Sequence, residues 1–232
     1  LIESDKKEVL KKNYKHSDFS EVSSLFVEKG YNLLKEKGCI VYIITFAITF
    51  SKNFSQIRHL LNKNFKKTSL FTLDRDRCST FKSMTQSVSV FKSTNKHSTI
   101  NEGIFTSRFF RTFPDINQID YSNSNNYLLP TVNVFSKKHR LPKIGENDNR
   151  EILDKLYGFK EHLLKVINRG TNIWIRTSGN YWYNAFDRKP YDSSEIKSLQ
   201  VEDTYSDFII ILMNSSLFYF WFRVYGDGKA YE

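Results

Sequence analysis

Residues 16–65 read HSDFSEVSSLFVEKGYNLLKEKGCIVYIITFAITFSKNFSQIRHLLNKNF. Phe19, Val22, Phe26 and Leu33 recur at helical spacing, Leu25 and Leu34 widen the stripe, and Asp18 and Glu21 stand at capping-box separation. The spacing predicts a helix over 18–37, weakened at Gly30 by about 1 kcal/mol relative to Ala and stopped at Gly38. Cys39 to Phe46 is a continuous apolar run rich in Ile and Val, the pattern of a strand buried on both faces of a parallel sheet. A second helix follows, with Asn53 and Gln56 at cap spacing and Phe54, Ile57, Leu61 and Phe65 on one stripe. Helix, buried strand and helix make one layer of an α/β fold.

Outward from this block the pattern continues. Thr68 to Leu73 and Ser87 to Phe91 read as two short strands, expected to form a β-hairpin that closes the sheet edge. Between them lies a polar loop with a lone Phe81. Composition then shifts: residues 92–145 are rich in Asn, Ser and Lys and hold Pro114, Pro130 and Pro142, which predicts a linker with a few short elements. A third helix is expected over 147–168, ended by Gly170, and Thr171 to Thr177 alternates as a strand with a hairpin partner in Tyr181 to Phe186. A final amphipathic helix is expected over 205–222, interrupted by Asn214, Ser215 and Ser216. The resulting division is 1–95, a linker at 96–145, and 146–232.

The chain has 232 residues, enough to bury a core as one large or two small domains. Lys and Arg number 35 against 25 Asp and Glu, a formal charge of +10 that favours a polyanionic partner such as nucleic acid. Aromatic residues at 16% argue against a disordered chain. Two cysteines cannot build a disulfide framework, and the first residues are polar and charged, so the expected setting is reducing and cytoplasmic. The run from Phe208 to Phe222 is broken by three polar residues and too short to span a bilayer, so no membrane partner is expected. Enzyme signatures are sparse. No Gly-rich phosphate loop or metal-ligand spacing occurs, and Asp192, Glu195 and Lys197 match a nuclease D…ExK spacing only loosely.

The order of elements resembles a known family. HSDFSEVSSLFVEKGYNLLKEKG with the strand and helix after it is similar to the part of an adenine-N6 DNA methyltransferase that follows its catalytic Asn-Pro-Pro-Tyr motif. The matching positions are Asp18, Phe19, Phe26, Leu33, Leu34 and Gly38, then Phe50, Ser51 and Arg58; Thr45 departs from the family's usual Pro. Later blocks resemble the fused type IIG restriction-modification enzymes and related phage-exclusion methyltransferases. These are LPKIGENDNREILDKL, the turn from Arg176 through Asn180 to Tyr181 and Trp182, and the helix from Leu212 to Trp221.

The resemblance implies an α/β fold: the C-terminal part of a Rossmann-like methyltransferase sheet over 1–95 (helix, strand, helix, hairpin), then an α+β target-recognition region over 146–232. It implies methyl transfer from S-adenosylmethionine to a flipped adenine in double-stranded DNA. The cofactor and catalytic motifs are expected upstream of Leu1, in the remainder of the same polypeptide, because neither occurs here. The chain alone is expected to be inactive, with no catalytic residue of its own.

Site residues follow from the same resemblance. Phe81 falls where the family places the aromatic that stacks on the flipped base. Asp18 and Phe19 match the helix start that borders the cofactor; as a plain N-cap, Asp18 would contribute about 1 kcal/mol. Arg176, Asn180, Arg188 and Lys189 cluster around a turn. Arg and Asn can bond guanine and adenine bidentately in the major groove, whereas Lys143 and Lys189 suit phosphates. Two other readings stand beside this one: a non-catalytic DNA-binding specificity module, and a structural α/β interaction protein with an incidentally basic surface.

Overall fold

The computed structural model describes residues 4–17, 21–74, 86–110, 127–131, 140–159, 163–177 and 185–226. They divide into two compact units, Leu1–Asp154 and Lys155–Glu232.

In the first unit, α1 (Ser4–Asn13) and α2 (Val22–Leu33) precede β1 (Cys39–Thr45). Two 3-10 turns, Phe46–Thr49 and Lys52–Phe54, lead into α3 (Ser55–Asn64), β2 (Phe65–Leu73), β3 (Val88–Lys96), β4 (Gly103–Phe110) and the short β5 (Leu129–Pro130). The sheet order is β1-β3-β2-β4-β5. Both β1 and β2 run antiparallel to β3, so they are parallel to each other, and β4 is parallel to β2. The crossover through α3 therefore skips one strand position, and β3 fills it.

The apolar stripe predicted for α3 enters the core on one face of this sheet, whereas that predicted for α2 does so only through Leu25 and, in part, Leu34: Val22, Phe26 and Leu33 are exposed, and Val27 takes the core position. Val27 of α2 and Ile57, Leu60 and Leu61 of α3 pack with Ile40, Ile44, Leu70, Phe91 and Ile104. At the far end of α2, Lys96 is buried and donates to Tyr31 O at 2.7 Å and Leu34 O at 3.0 Å, satisfying carbonyls that the helix end leaves open.

The strand predicted to be buried on both faces is an edge strand with an antiparallel neighbour: Ile40 and Ile44 are buried, but Val41 is 59% and Ile43 48% exposed. The predicted hairpin pairs as β2 and β3, yet it does not close the edge, because β3 lies inside the sheet. The stretch expected as a linker supplies β4 and β5 to the sheet.

The LPKIG segment likewise belongs to the first unit. Leu141 N donates to Thr49 O at 2.7 Å, Thr106 Oγ1 donates to Pro142 O at 2.5 Å, and Ile144 N reaches Thr106 Oγ1 at 3.4 Å. Gly145 closes it with φ of 63°, and a Cβ there would lie 2.1 Å from Arg108 N.

The unit boundary falls within α4 (Asn147–Gly158), which ends ten residues before the predicted limit at 168. The second unit holds a three-stranded antiparallel sheet of order β7-β6-β8, from β6 (Ile167–Arg176), β7 (Ala185–Phe186) and β8 (Ile196–Val201). Gly170, read as a helix stop, instead sits in a register irregularity of β6 with φ of 84°; a bulge and a helix stop ask for the same left-handed backbone. Ile173 and Val201 pack on Ile209 of α5 (Ser206–Met213).

The single predicted last helix is two, α5 and α6 (Ser216–Tyr225), bent by 72°. Ser215 caps α6 by accepting from Phe218 N at 3.2 Å. Asn214 pairs with both backbone groups of Ala185: its Oδ1 accepts from Ala185 N at 2.9 Å and its Nδ2 donates to Ala185 O at 3.0 Å. No single helix among the described residues is long and apolar enough to cross a membrane.

A side chain at 145 would meet backbone, not a movable side-chain tip, in a φ region that costs an L-residue about 1–2 kcal/mol before any clash. Gly145→Ala should lower the unfolding free energy by more than about 2 kcal/mol in a urea titration. An unchanged midpoint would remove this segment from the stable part of the first unit.

Candidate functional site

Because β1, β2 and β4 run parallel, their carboxyl ends gather on one edge of the sheet. In open α/β sheets that edge is where ligands bind. Phe46, just past β1, stacks on Phe109 of β4 at 4.6 Å and meets Phe50 edge-on at 5.5 Å. Asp74, just past β2, is buried and donates its N–H to Phe110 O at 3.0 Å; Phe46 N donates to Ser87 O at 3.1 Å. The segment that carries Phe81 leaves this edge after Asp74 and rejoins it at Gln86; Phe81 itself lies outside the described residues.

The turn after β1 is held from below by Arg58. This guanidinium is fully buried, and its Nη1 donates to Ile48 O and Ser51 O, each at 2.8 Å. Burial, and then the charge of Arg140, lower its pKa to about 10. Ser51 and Arg58, singled out separately in the sequence, are thus joined by one hydrogen bond at the carboxyl edge.

The N-terminus of α2 is directed to the same edge. The helix runs antiparallel to β1, and Tyr42 Oη donates to Phe26 O at 2.9 Å midway along it. Asp18 and Phe19 lie outside the described residues. The chain immediately before them is clamped by Glu28, which is only 2% exposed. Its carboxylate accepts from Lys15 N at 2.6 Å, from His16 N at 3.0 and 3.1 Å, and from Ser17 Oγ at 2.7 Å. Sequence reading missed Glu28. The available signal was a carboxylate in phase with Leu25 on the buried face of α2, where a charge requires partners.

The remaining predicted residues separate. Lys143 does not face solvent: it is 2% exposed, with Nζ 5.1 Å from the Phe46 ring centre, inside the LPKIG segment of the first unit. Arg176, Arg188 and Lys189 are all in the second unit. Arg176 is half-buried at the end of β6, and its Nε has no hydrogen-bond partner among the described residues. Arg188 is exposed in the turn after β7. Lys189 pairs with Asp192 and places Nζ 5.6 Å from the Trp174 ring centre. The hydrogen bond and charge of Lys189 hold the Asp192 carboxyl below the usual carboxylate range. Asn180 lies outside the described residues. Among the described residues no group of His, Cys, Asp and Glu is arranged to hold a metal ion.

Charge is divided unevenly. Residues 1–154 hold 25 Lys and Arg against 16 Asp and Glu, a net +9, whereas residues 155–232 hold 10 against 9, a net +1.

Comparison with known proteins bears on the first unit. The family model of the Eco57I restriction-modification methylase matches residues 1–78. No curated protein matches the chain. Among solved structures, the chain is similar to DrdV in its cryo-EM complex with DNA, at 15% identity and a TM-score of 0.33 over 45% of this chain and 11% of that one. It is also similar to the ATP-dependent Type ISP restriction-modification enzyme LlaBIII bound to DNA, at 11% identity and a TM-score of 0.34 over 70% of this chain and 13% of that one. The chain therefore spans a small fraction of the length of either protein. The family match relates the first third of the chain to restriction-modification methylases.

Glu28→Ala would leave the donors of Lys15, His16 and Ser17 without their acceptor. It should destabilise the first unit by about 2–3 kcal/mol, and Glu28→Gln by less, since the amide keeps one acceptor oxygen. Urea denaturation checks this; equal midpoints for E28A and wild type would show that the clamp contributes nothing.

Proposed function

We propose that this chain is the modification and recognition portion of a site-specific DNA adenine-N6 methyltransferase, of the type IIG restriction-modification kind. The first unit would be the rear of a Rossmann-like methyltransferase sheet and the second a part of the target-recognition domain. The family match over residues 1–78 supports the methyltransferase relationship.

The observation that carries the reading is the outer border of β1. Among the described residues its edge has no strand partner. Val41 and Ile43 are exposed on one face of β1, and Val22, Phe26 and Leu33 are exposed on α2, which covers the other. A bare strand edge flanked by apolar side chains on both sides is a liability in an isolated domain and the natural border of a sheet that continues. A strand with both faces apolar fits a sheet covered on both sides. We take the continuation to be the upstream remainder of the same polypeptide, bearing the catalytic Asn-Pro-Pro-Tyr motif.

S-adenosylmethionine would supply the methyl group in the joined enzyme. On this side of its site the chain would contribute Asp18 and Phe19, set in place by the Glu28 clamp on the residues before them. Phe81, on the segment tethered to the carboxyl edge at both ends, would stack on the flipped adenine, whose extraction from the duplex needs an aromatic or apolar surface. The net +9 of the first unit would attract the phosphate backbone. Arg176, Asn180, Arg188 and Lys189 would face the duplex from the second unit, with Arg176 reading a base.

The chain alone should transfer no methyl group to DNA, while the polypeptide extended upstream through its catalytic motif should methylate adenine. Duplex binding by the chain should weaken steeply as salt rises from about 50 to 200 mM, with log affinity linear in log salt. A flat salt response, or an extended polypeptide that binds DNA but leaves adenine unmethylated, would defeat the reading.

A further inference from the structure

The second unit's sheet has one face packed, and the other is open around Asn172, Ser198 and Gln200, whereas Ile196, opposite Arg176, is buried. Ile173, Leu199 and Val201 are turned to α5. Strand pairing places Asn172 opposite Gln200, and Trp174 opposite both Ser198 and Phe186, so these side chains share the other face with Arg176. Asn172, Ser198 and Gln200 are exposed, and Trp174 is half-buried beneath the Lys189 ammonium. None of the paired positions on this face carries a carboxylate. Among the described residues, neither Asn172 nor Gln200 makes a side-chain hydrogen bond.

The geometry points to this open face as a base-reading surface, with Asn172 and Gln200 as specificity residues that contact adenine in the major groove of double-stranded DNA. β7 spans only Ala185–Phe186, opposite Ile175 and Trp174, so at Asn172 and Gln200 the sheet is a two-stranded ribbon of β6 and β8. A two-stranded antiparallel ribbon is an element the major groove admits, and a carboxamide is the side chain that bonds adenine N6 and N7 bidentately. Arg176 is the one cation among the paired positions of this face, and Lys189, over Trp174, is paired with Asp192, so the face carries little net charge. Net charge supplies little here, so the contribution of this face is selection among sequences rather than general affinity. The inference rests on the proposed DNA-recognition role of the second unit and adds residues that the sequence reading did not single out.

The test is selection of the full 232-residue chain on a pool of randomised DNA duplexes, followed by sequencing and by salt-dependent binding to the recovered duplexes. Wild type should enrich a motif that includes A·T positions. Asn172→Ala with Gln200→Ala should relax one or two of those positions by about tenfold or more while leaving the salt slope unchanged, because each bidentate base contact discriminates by about 1–3 kcal/mol. Gln200→Glu and Asn172→Asp keep side-chain size and exposure but exchange a donor for an acceptor, and should shift preference from adenine toward cytosine, whose N4 donates to a carboxylate. Unchanged urea midpoints establish that these surface variants are folded. A wild-type motif left intact in all the variants overturns the inference while leaving DNA recognition standing. Salt-independent binding with no enriched motif overturns both.

Discussion

Insertion of β3 between β1 and β2 is the constraint from which the first unit is built. An antiparallel strand separating two parallel ones lets the α3 crossover span a wider gap, and it brings Phe91 between Tyr42 and Leu70 under both helices. It also fixes direction. With β1, β2 and β4 all running the same way, Phe46, Asp74 and Phe109 must end on one edge. The buried Arg58 then serves that edge by holding two carbonyls of the turn after β1, and Glu28 serves it by tying down the chain ahead of α2. Both are costly groups to bury: two backbone carbonyls meet Arg58 Nη1, and the N–H groups of Lys15 and His16 with the Ser17 hydroxyl meet the Glu28 carboxylate, so each interior charge orders a loop.

Much of this was legible in the residues and some was not. The continuous Ile- and Val-rich run at Cys39 to Phe46 identifies a strand, and the Phe54, Ile57, Leu61 and Phe65 stripe identifies a helix by its 3.6-residue period. Strand order was not legible: local patterning pairs β2 with β3 but carries no information about which distant strand takes β3's other edge. The apolar run at Cys39–Thr45 correctly marks two apolar faces, whereas the structure packs only one of them. Residues 96–145 read as a linker because Asn, Ser and Lys recur through them with three prolines, while the strand pattern that makes β4 occupies only eight residues.

The site shows the same asymmetry. Lys143 reads as a phosphate ligand because lysine is rarely buried. Its neighbours Leu141, Pro142 and Ile144 were the contrary sign, and they carry it inside with its ammonium over Phe46. Gly145 explains why the segment can pass so close to β4, since the approach to Arg108 leaves no room for a Cβ. Asn214 was legible as a structural residue, because a polar side chain interrupting an apolar helix needs partners. Its pairing with both backbone groups of Ala185 was not, because it joins an interhelix bend to a two-residue strand twenty-nine positions earlier.

The division of charge has a physical consequence for the proposed role. Long-range attraction to a duplex depends on summed charge and is indifferent to sequence, whereas discrimination depends on donors and acceptors held at groove distance. A net +9 on the first unit and +1 on the second separates these two tasks along the chain. Had the open face of the second unit also carried excess lysine, every sequence would have been bound there with similar strength. A nearly neutral face presenting carboxamides gains from the right base and gains little from the wrong one. On the proposed reading, selectivity in the second unit would depend on affinity supplied by the first.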